Sequence, residues 1–184
     1  GIAGDAMAAA VPRTGMHRDP DESVIDLAIA RAEAPFAKGT GDLTGLRDRL
    51  GQLMWDDVGI LRTDEGLRRG LAGLDDVEAE LRETGLPDGD RAFNLTWHDW
   101  MNLESLIDVS RVIARASLAR EDSRGAHFRE DYPETGPLET TTYTQVRQIS
   151  EELEIDMVLV DFSIVKPGES LIDDDVGAPA AVTG

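Results

Sequence analysis

Leu67, Leu71, Leu74, Val77 and Leu81 recur at steps of three and four in the stretch "LMWDDVGILRTDEGLRRGLAGLDDVEAEL". A strand alternates faces every residue, so that spacing gives an apolar stripe only on an α-helix. A second run repeats the period: Leu43, Leu46, Leu50, Leu53 and Met54. In a third, Leu103, Ile107, Ser110, Ile113, Ala114 and Ser117 share a face that Leu106 and Val109 widen. One-sided helices must bury their stripes against one another. Short joints between them predict an antiparallel bundle of three to four helices.

Local signals place the ends. Asp19 at an N-cap, Pro20 at the first helical position and Glu22 for a capping box predict an earlier helix striped by Val24, Ile25, Ala28, Ile29 and Ala32. Pro35 and "KGTGD" mark its end, Thr63-Asp64-Glu65 starts the leucine-striped helix, and Gly85-Leu86-Pro87 stops it. The longest helix is expected from Leu95 to Asp122, with Gly125 just past its end. "TTYTQV" and "IDMVLVDFSIV" are rich in β-branched residues and predict a small strand pair, followed by a loose acidic tail. The expected divisions are 1–18, a stub and turn-rich linker; 19–133, the bundle; and 134–184, the β appendage with its tail.

Composition removes several function classes. The formal charge of −19 opposes binding to nucleic acid, whose phosphates need a basic surface. Zero cysteines excludes disulfides, thiolate metal sites and cysteine nucleophiles within the chain. No apolar run approaches the roughly 18 to 20 residues that cross a bilayer. His17, His98 and His127 lack metal-ligand spacing, and Asp173 to Asp175 lack the alternation and glycine of a calcium loop. "GIAGDA" fails the spacing of a dinucleotide turn. Trp97 and Trp100, three apart, suit bundle core or a domain contact better than a substrate platform.

The remaining candidate is "ASLAREDSRGAHFREDYPE", where arginines and a histidine alternate with carboxylates at a helix exit. Ser123 and His127 nominally pair a nucleophile with a base, yet no orienting third group or oxyanion loop accompanies them. Charge-assisted, partly bidentate bonds give a better use for this pattern. The expectation is a rigid polar clamp or domain contact built from Arg120, Ser123, Arg124, Gly125, His127, Arg129 and Asp131.

This stretch resembles the Arg-x-Glu-Ser-Arg-Gly-x-His-x-Arg-x-Asp-x-Pro region of the succinate dehydrogenase and fumarate reductase flavoproteins and the related L-aspartate oxidases. Asp122 stands where that family usually has Glu, and Pro133 closes the match. "MWDDVGILR", Met54 to Arg62, resembles the family's Met-Trp-x-x-Val-Gly-Ile-x-Arg run. "NLESLIDVSRVIARASLARED" is similar to its long helix, so the likeness runs in order from about Gly1 to Pro133. "GIAGDAMAAAV" looks like the close of a preceding flavin-domain helix, with Asp5 for a Glu and Gly1-Ile2 for two arginines, which suggests a divergent branch and a fragment of something longer.

The resemblance implies a C-terminal helical domain of a flavin-dependent oxidoreductase, spectrin-like in its bundle. FAD and substrate would be held upstream, so the segment alone is expected to be inactive, with no catalytic, cofactor or metal residue of its own. Its implied partners are the upstream FAD-binding domain and, by extension, an iron–sulfur electron-transfer subunit. Its implied location is the cytoplasm or the cytoplasmic membrane face. A stand-alone helical interaction module without catalytic activity is the alternative.

Overall fold

A computed structural model describes residues 2–14, 21–149 and 152–169. The elements run α1 (Ile2–Thr14), α2 (Glu22–Glu33), a 3-10 turn (Ala34–Ala37), α3 (Leu43–Asp57), β1 (Leu61–Arg62), α4 (Asp64–Glu83), α5 (Leu95–Ala119), β2 (Phe128–Arg129), a second 3-10 turn (Leu138–Thr140), β3 (Thr142–Ile149) and β4 (Glu152–Leu159). The fold is mainly helical with a small strand appendage, as the periodicity predicts.

Helices α3, α4 and α5 supply most of the core. Leu46 and Leu50 of α3, Leu67, Leu74, Val77 and Leu81 of α4, and Trp100, Leu103, Ile107 and Ala114 of α5 are buried together. Cross-helix contacts show the directions. Arg49 pairs with Glu80, and Asp57 with Arg69. Trp100 Nε1 donates to the Thr84 carbonyl at 2.9 Å, whereas Arg111, further along α5, reaches Asp75. As numbers rise on one helix they fall on its neighbour, so both pairs are antiparallel. Gly73 of α4 faces α3, and a Cβ there would sit 2.5 Å from Leu53 Cδ1, so the end of that side chain would have to shift.

Each core helix starts on a polar cap. The side chains of Asp42, Thr63 and Asn94 accept from the amides of Gly45, Gly66 and Trp97, each satisfying a donor that the first turn leaves open. For α2 the N-cap is Asp21, bonded to Ser23; the expected cap Asp19 and first-turn Pro20 lie outside the described residues, as do Gly15 and His17. Helix α1 continues through Pro12 to Thr14, where a turn-rich connection was expected. Pro12 has no amide hydrogen to donate to the Ala8 carbonyl, so the ladder loses one bond there.

Three expectations change. Helix α2 buries none of its residues: Val24 and Ile29, expected to face a core, are exposed, and the helix is tied on by polar contacts. These are Arg31 with Glu104 and Asp108, and Trp97 Nε1 donating to Ala32 O at 2.7 Å. On α5 the buried stripe is narrower than the sequence suggests, because Leu106, Val109 and Ile113 are exposed. Finally, α5 stops at Ala119 with Arg120 as C-cap, and Gly125 belongs to a separate turn.

The strands form two separate pairs. β1 and β2 run parallel, with Leu61 opposite Phe128 and Arg62 opposite Arg129. β3 and β4 form an antiparallel hairpin from Thr142↔Leu159 to Ile149↔Glu152. The second strand of that hairpin ends before Asp161, short of the apolar run "IDMVLVDFSIV". The tail containing Asp173 to Asp175 lies outside the described residues.

Candidate functional site

The end of α5 leaves carbonyls with no intrahelical partner. Arg129 supplies the missing donors. Its Nη1 donates to the carbonyls of Ser117 at 2.8 Å, Leu118 at 3.1 Å and Arg120 at 3.1 Å. Its Nε and Nη2 grip Asp131 bidentately at 2.7 and 2.8 Å. The guanidinium also lies 5.0 Å from the Tyr132 ring centroid, within range of a cation–π contact. Only 1% of this side chain is exposed, so the ion pair and carbonyl bonds replace nearly all of its hydration.

Asp131 carries the connection onward. Its Oδ2 accepts from the Asp64 amide at 2.8 Å, in the first turn of α4. The cation therefore sits at the carbonyl end of one helix, and its carboxylate at the amide end of the next. Each charge faces the favourable pole of its helix. Arg129 and its own backbone hold the Asp131 carboxyl down to about 2 from an ordinary 3.8; the bond to Arg129 is the main cause, opposed by desolvation and aided by the Asp64 amide. A carboxyl depressed on folding stabilises the folded state above its unfolded value, near pH 4, and loses that contribution as pH falls toward 2. In the full-length protein, Asp131→Asn is therefore expected to lower the thermal midpoint at neutral pH. The gap from wild type should close between about pH 4 and pH 2. A gap that stays constant across that window would remove the linkage.

Ser123 is the second tie. Its hydroxyl accepts from the Arg129 amide at 2.9 Å and reaches the Tyr132 carbonyl at 2.8 Å. Its own amide donates to Glu134 O at 3.0 Å, and Thr135 Oγ1 donates to its carbonyl. It makes no bond to His127, so the nominal nucleophile–base pair is not assembled.

Arg120 binds Asp122, with Nε 2.6 Å from Oδ1 in an ion pair rather than a well-angled hydrogen bond. Arg120 Nη1 also donates to Thr142 O at 3.0 Å, linking the end of α5 to β3. Arg124 lies 3.5 Å from Asp122 and donates to Gly136 O at 3.0 Å. Arg124 and His127 exchange backbone bonds of 2.7 and 3.0 Å across a tight turn. Gly125 makes that turn with φ +58°, which strains any residue bearing a Cβ.

His127 brings in a residue that the sequence reading did not choose as a site residue. Arg62 Nη1 lies 3.1 Å from His127 Nδ1. A guanidinium only donates, so Nδ1 accepts and the hydrogen is on Nε2. Burial lowers the His127 pKa, and the charge of Arg62 lowers it further, which keeps the ring neutral. Arg62 was visible as the last residue of the "MWDDVGILR" run. What the sequence did not show is that the two signatures meet: β1 carries one, β2 the other, and Glu130 N donates to Arg62 O at 2.8 Å.

A groove of about 700 Å³ lies between α2, α4, α5 and the β3–β4 hairpin. Its arginines are largely spent internally: Arg31 on Glu104 and Asp108, Arg111 on Asp75 and Glu78, Arg82 on Glu78. Four carboxylates in its wall do not fit the pyrophosphate of a dinucleotide. No group of three or more metal-ligating side chains converges among the described residues.

A family model described as fumarate reductase flavoprotein C-term matches residues 47–171. The succinate dehydrogenase flavoprotein subunit of Coxiella burnetii is 34% identical over 121 residues, 64% of this chain and 20% of that protein. L-aspartate oxidase of Pyrococcus furiosus is 36% identical over 103 residues, 56% of this chain and 17% of that protein. In the solved Sdh1 complex of Mycobacterium smegmatis, one chain superposes with a TM-score of 0.67 at 27% identity, over 85% of this chain and 27% of that one. The chain thus spans about a fifth of the length of the curated relatives it matches.

Proposed function

From the premise that this chain belongs to the fumarate reductase flavoprotein C-terminal family, we propose that it buttresses the flavin-binding part of an FAD-dependent oxidoreductase of the succinate dehydrogenase/fumarate reductase type. The observation that carries this reading is the Arg129–Asp131 bridge, which ties the carbonyl end of α5 to the amide end of α4. Such a knot holds a scaffold.

In this reading residues 1–18 close the preceding flavin-domain helix, 19–133 form the buttress, and 134–184 are an appendage. The residues of the knot, Arg120, Ser123, Arg124, Gly125, His127, Arg129 and Asp131, are structural. FAD and the dicarboxylate-type substrate are bound upstream, where the flavin exchanges hydride with the substrate. An iron–sulfur subunit is the proposed electron partner, in keeping with the description of the M. smegmatis relative as a complex. No helix among the described residues is long and apolar enough to cross a membrane. The proposed location is the cytoplasm, or the cytoplasmic membrane face by way of such partners.

Two measurements test the assignment. The full-length protein is expected to be isolated with bound FAD, and the 184-residue chain to show no saturable FAD uptake when titrated. Tight stoichiometric uptake by the chain alone, or a full-length protein without flavin, would sink it.

A further inference from the structure

Arg62 is the anomaly of the knot. Its Nε donates to Val58 O at 3.0 Å and its Nη1 to His127 Nδ1, both of them neutral acceptors. Two of a guanidinium's five N–H donors are thereby used, leaving about three. No carboxylate pairs with it among the described residues. The other described cations in that position, Arg13, Arg115 and Lys166, are exposed, whereas Arg62 is half-buried. Burial depresses its pKa with no anion to offset the loss of water.

The surroundings make the vacancy harder to explain by chance. Within the knot Arg62, Arg120, Arg124 and Arg129 meet only Asp122 and Asp131 in ion pairs, and the nearby Asp64 is held by Arg68. A guanidinium without a carboxylate partner attracts an anion, and its planar fork matches a carboxylate. Ile60 is 69% exposed just ahead of it on the chain, and the exposed Leu61 stands opposite Phe128 across β1 and β2. Arginine is enriched among the residues that carry most of the binding energy at protein contacts.

We propose that Arg62 receives a side-chain carboxylate from the flavin-bearing part of the same protein, as the charged anchor of a docking surface that also includes Ile60, Leu61 and Phe128. The inference rests on the buttress reading above, under which roughly four fifths of the parent chain lies outside this segment, as in the relatives. It adds the face that docks and the chemistry that registers it. An unpaired half-buried charge is destabilising by itself and becomes useful once the opposite charge arrives with its own water removed.

The test uses the full-length protein carrying Arg62→Lys, treated with a water-soluble carbodiimide. Coupling joins the introduced amine to a carboxylate in direct contact, forming an amide while water is taken up by the carbodiimide to give a urea. Peptide mapping is expected to find that amide on an Asp or Glu outside residues 1–184. Coupling confined to these residues, or none, overturns the proposal. So does a wild-type thermal midpoint that rises with added succinate more than that of Arg62→Gln, with no coupling outside the segment, because the anion is then a free one. Hydrogen exchange on Arg62→Gln gives an independent reading: faster exchange is expected across 58–62 and in one segment outside the chain, and a change confined to 58–62 overturns it. Flavin content separates the two ideas, since bound FAD without coupling leaves the buttress standing and removes only the Arg62 contact.

Discussion

Arg129→Ala is expected to destabilise the end of α5 by about 3 to 5 kcal/mol, the range for removing one partner of a buried ion pair. The substitution deletes the bidentate grip on Asp131 and strips donors from the carbonyls of Ser117, Leu118 and Arg120. Those acceptors then lie buried beside a carboxylate that has lost its cation. Hydrogen exchange of the full-length protein should show the last turn of α5 and residues 120–132 opening far more readily. Arg129→Lys should recover little, because a single ammonium cannot span Asp131 and three carbonyls at once. Wild-type protection in the alanine variant would mean that the knot is decoration. Earlier flavin loss on heating is expected to accompany the local opening if this segment is the buttress.

Leu103→Ala is the second large effect, about 2 to 5 kcal/mol. Leu103 is fully buried at 0% exposure in the core that α3, α4 and α5 share, and Leu67 and Leu74 of α4 are equally enclosed. The spread reflects how far the three helices can collapse into the void. Leu106→Ala, one turn away and exposed on the same helix, provides the contrast and should change the unfolding free energy by less than about 0.5 kcal/mol. Equal losses at the two positions would show that α5 is not oriented as described.

How much was legible can be judged from single residues. The spacing of Leu67, Leu74, Val77 and Leu81 was enough to identify both the helix and its buried face, and all four are core. Thr63 was readable as a helix start because capping is local chemistry. Val24 and Ile29 misled, since an apolar stripe says that a face seeks cover but not that this segment provides it. Gly125 misled differently: a glycine with positive φ ends helices and also makes turns, and composition does not distinguish the two. The knot was visible as a cluster of charges. Its pairings were not, because Arg129 could equally have met Asp122, Glu130 or Asp131.

The linear order of residues thus settled what short-range forces settle: where helices form, which side of each prefers to leave water, and where their ends are capped. Only the folded chain decided which charges meet, because side chains 65 or 67 positions apart, such as Arg62 with His127 and Asp131 with the amide of Asp64, become neighbours when β1 lies beside β2. A hydrogen bond acts over about 3 Å. Its partner is therefore chosen by the packing that brings two distant segments within reach, and periodicity along the sequence carries no record of that choice.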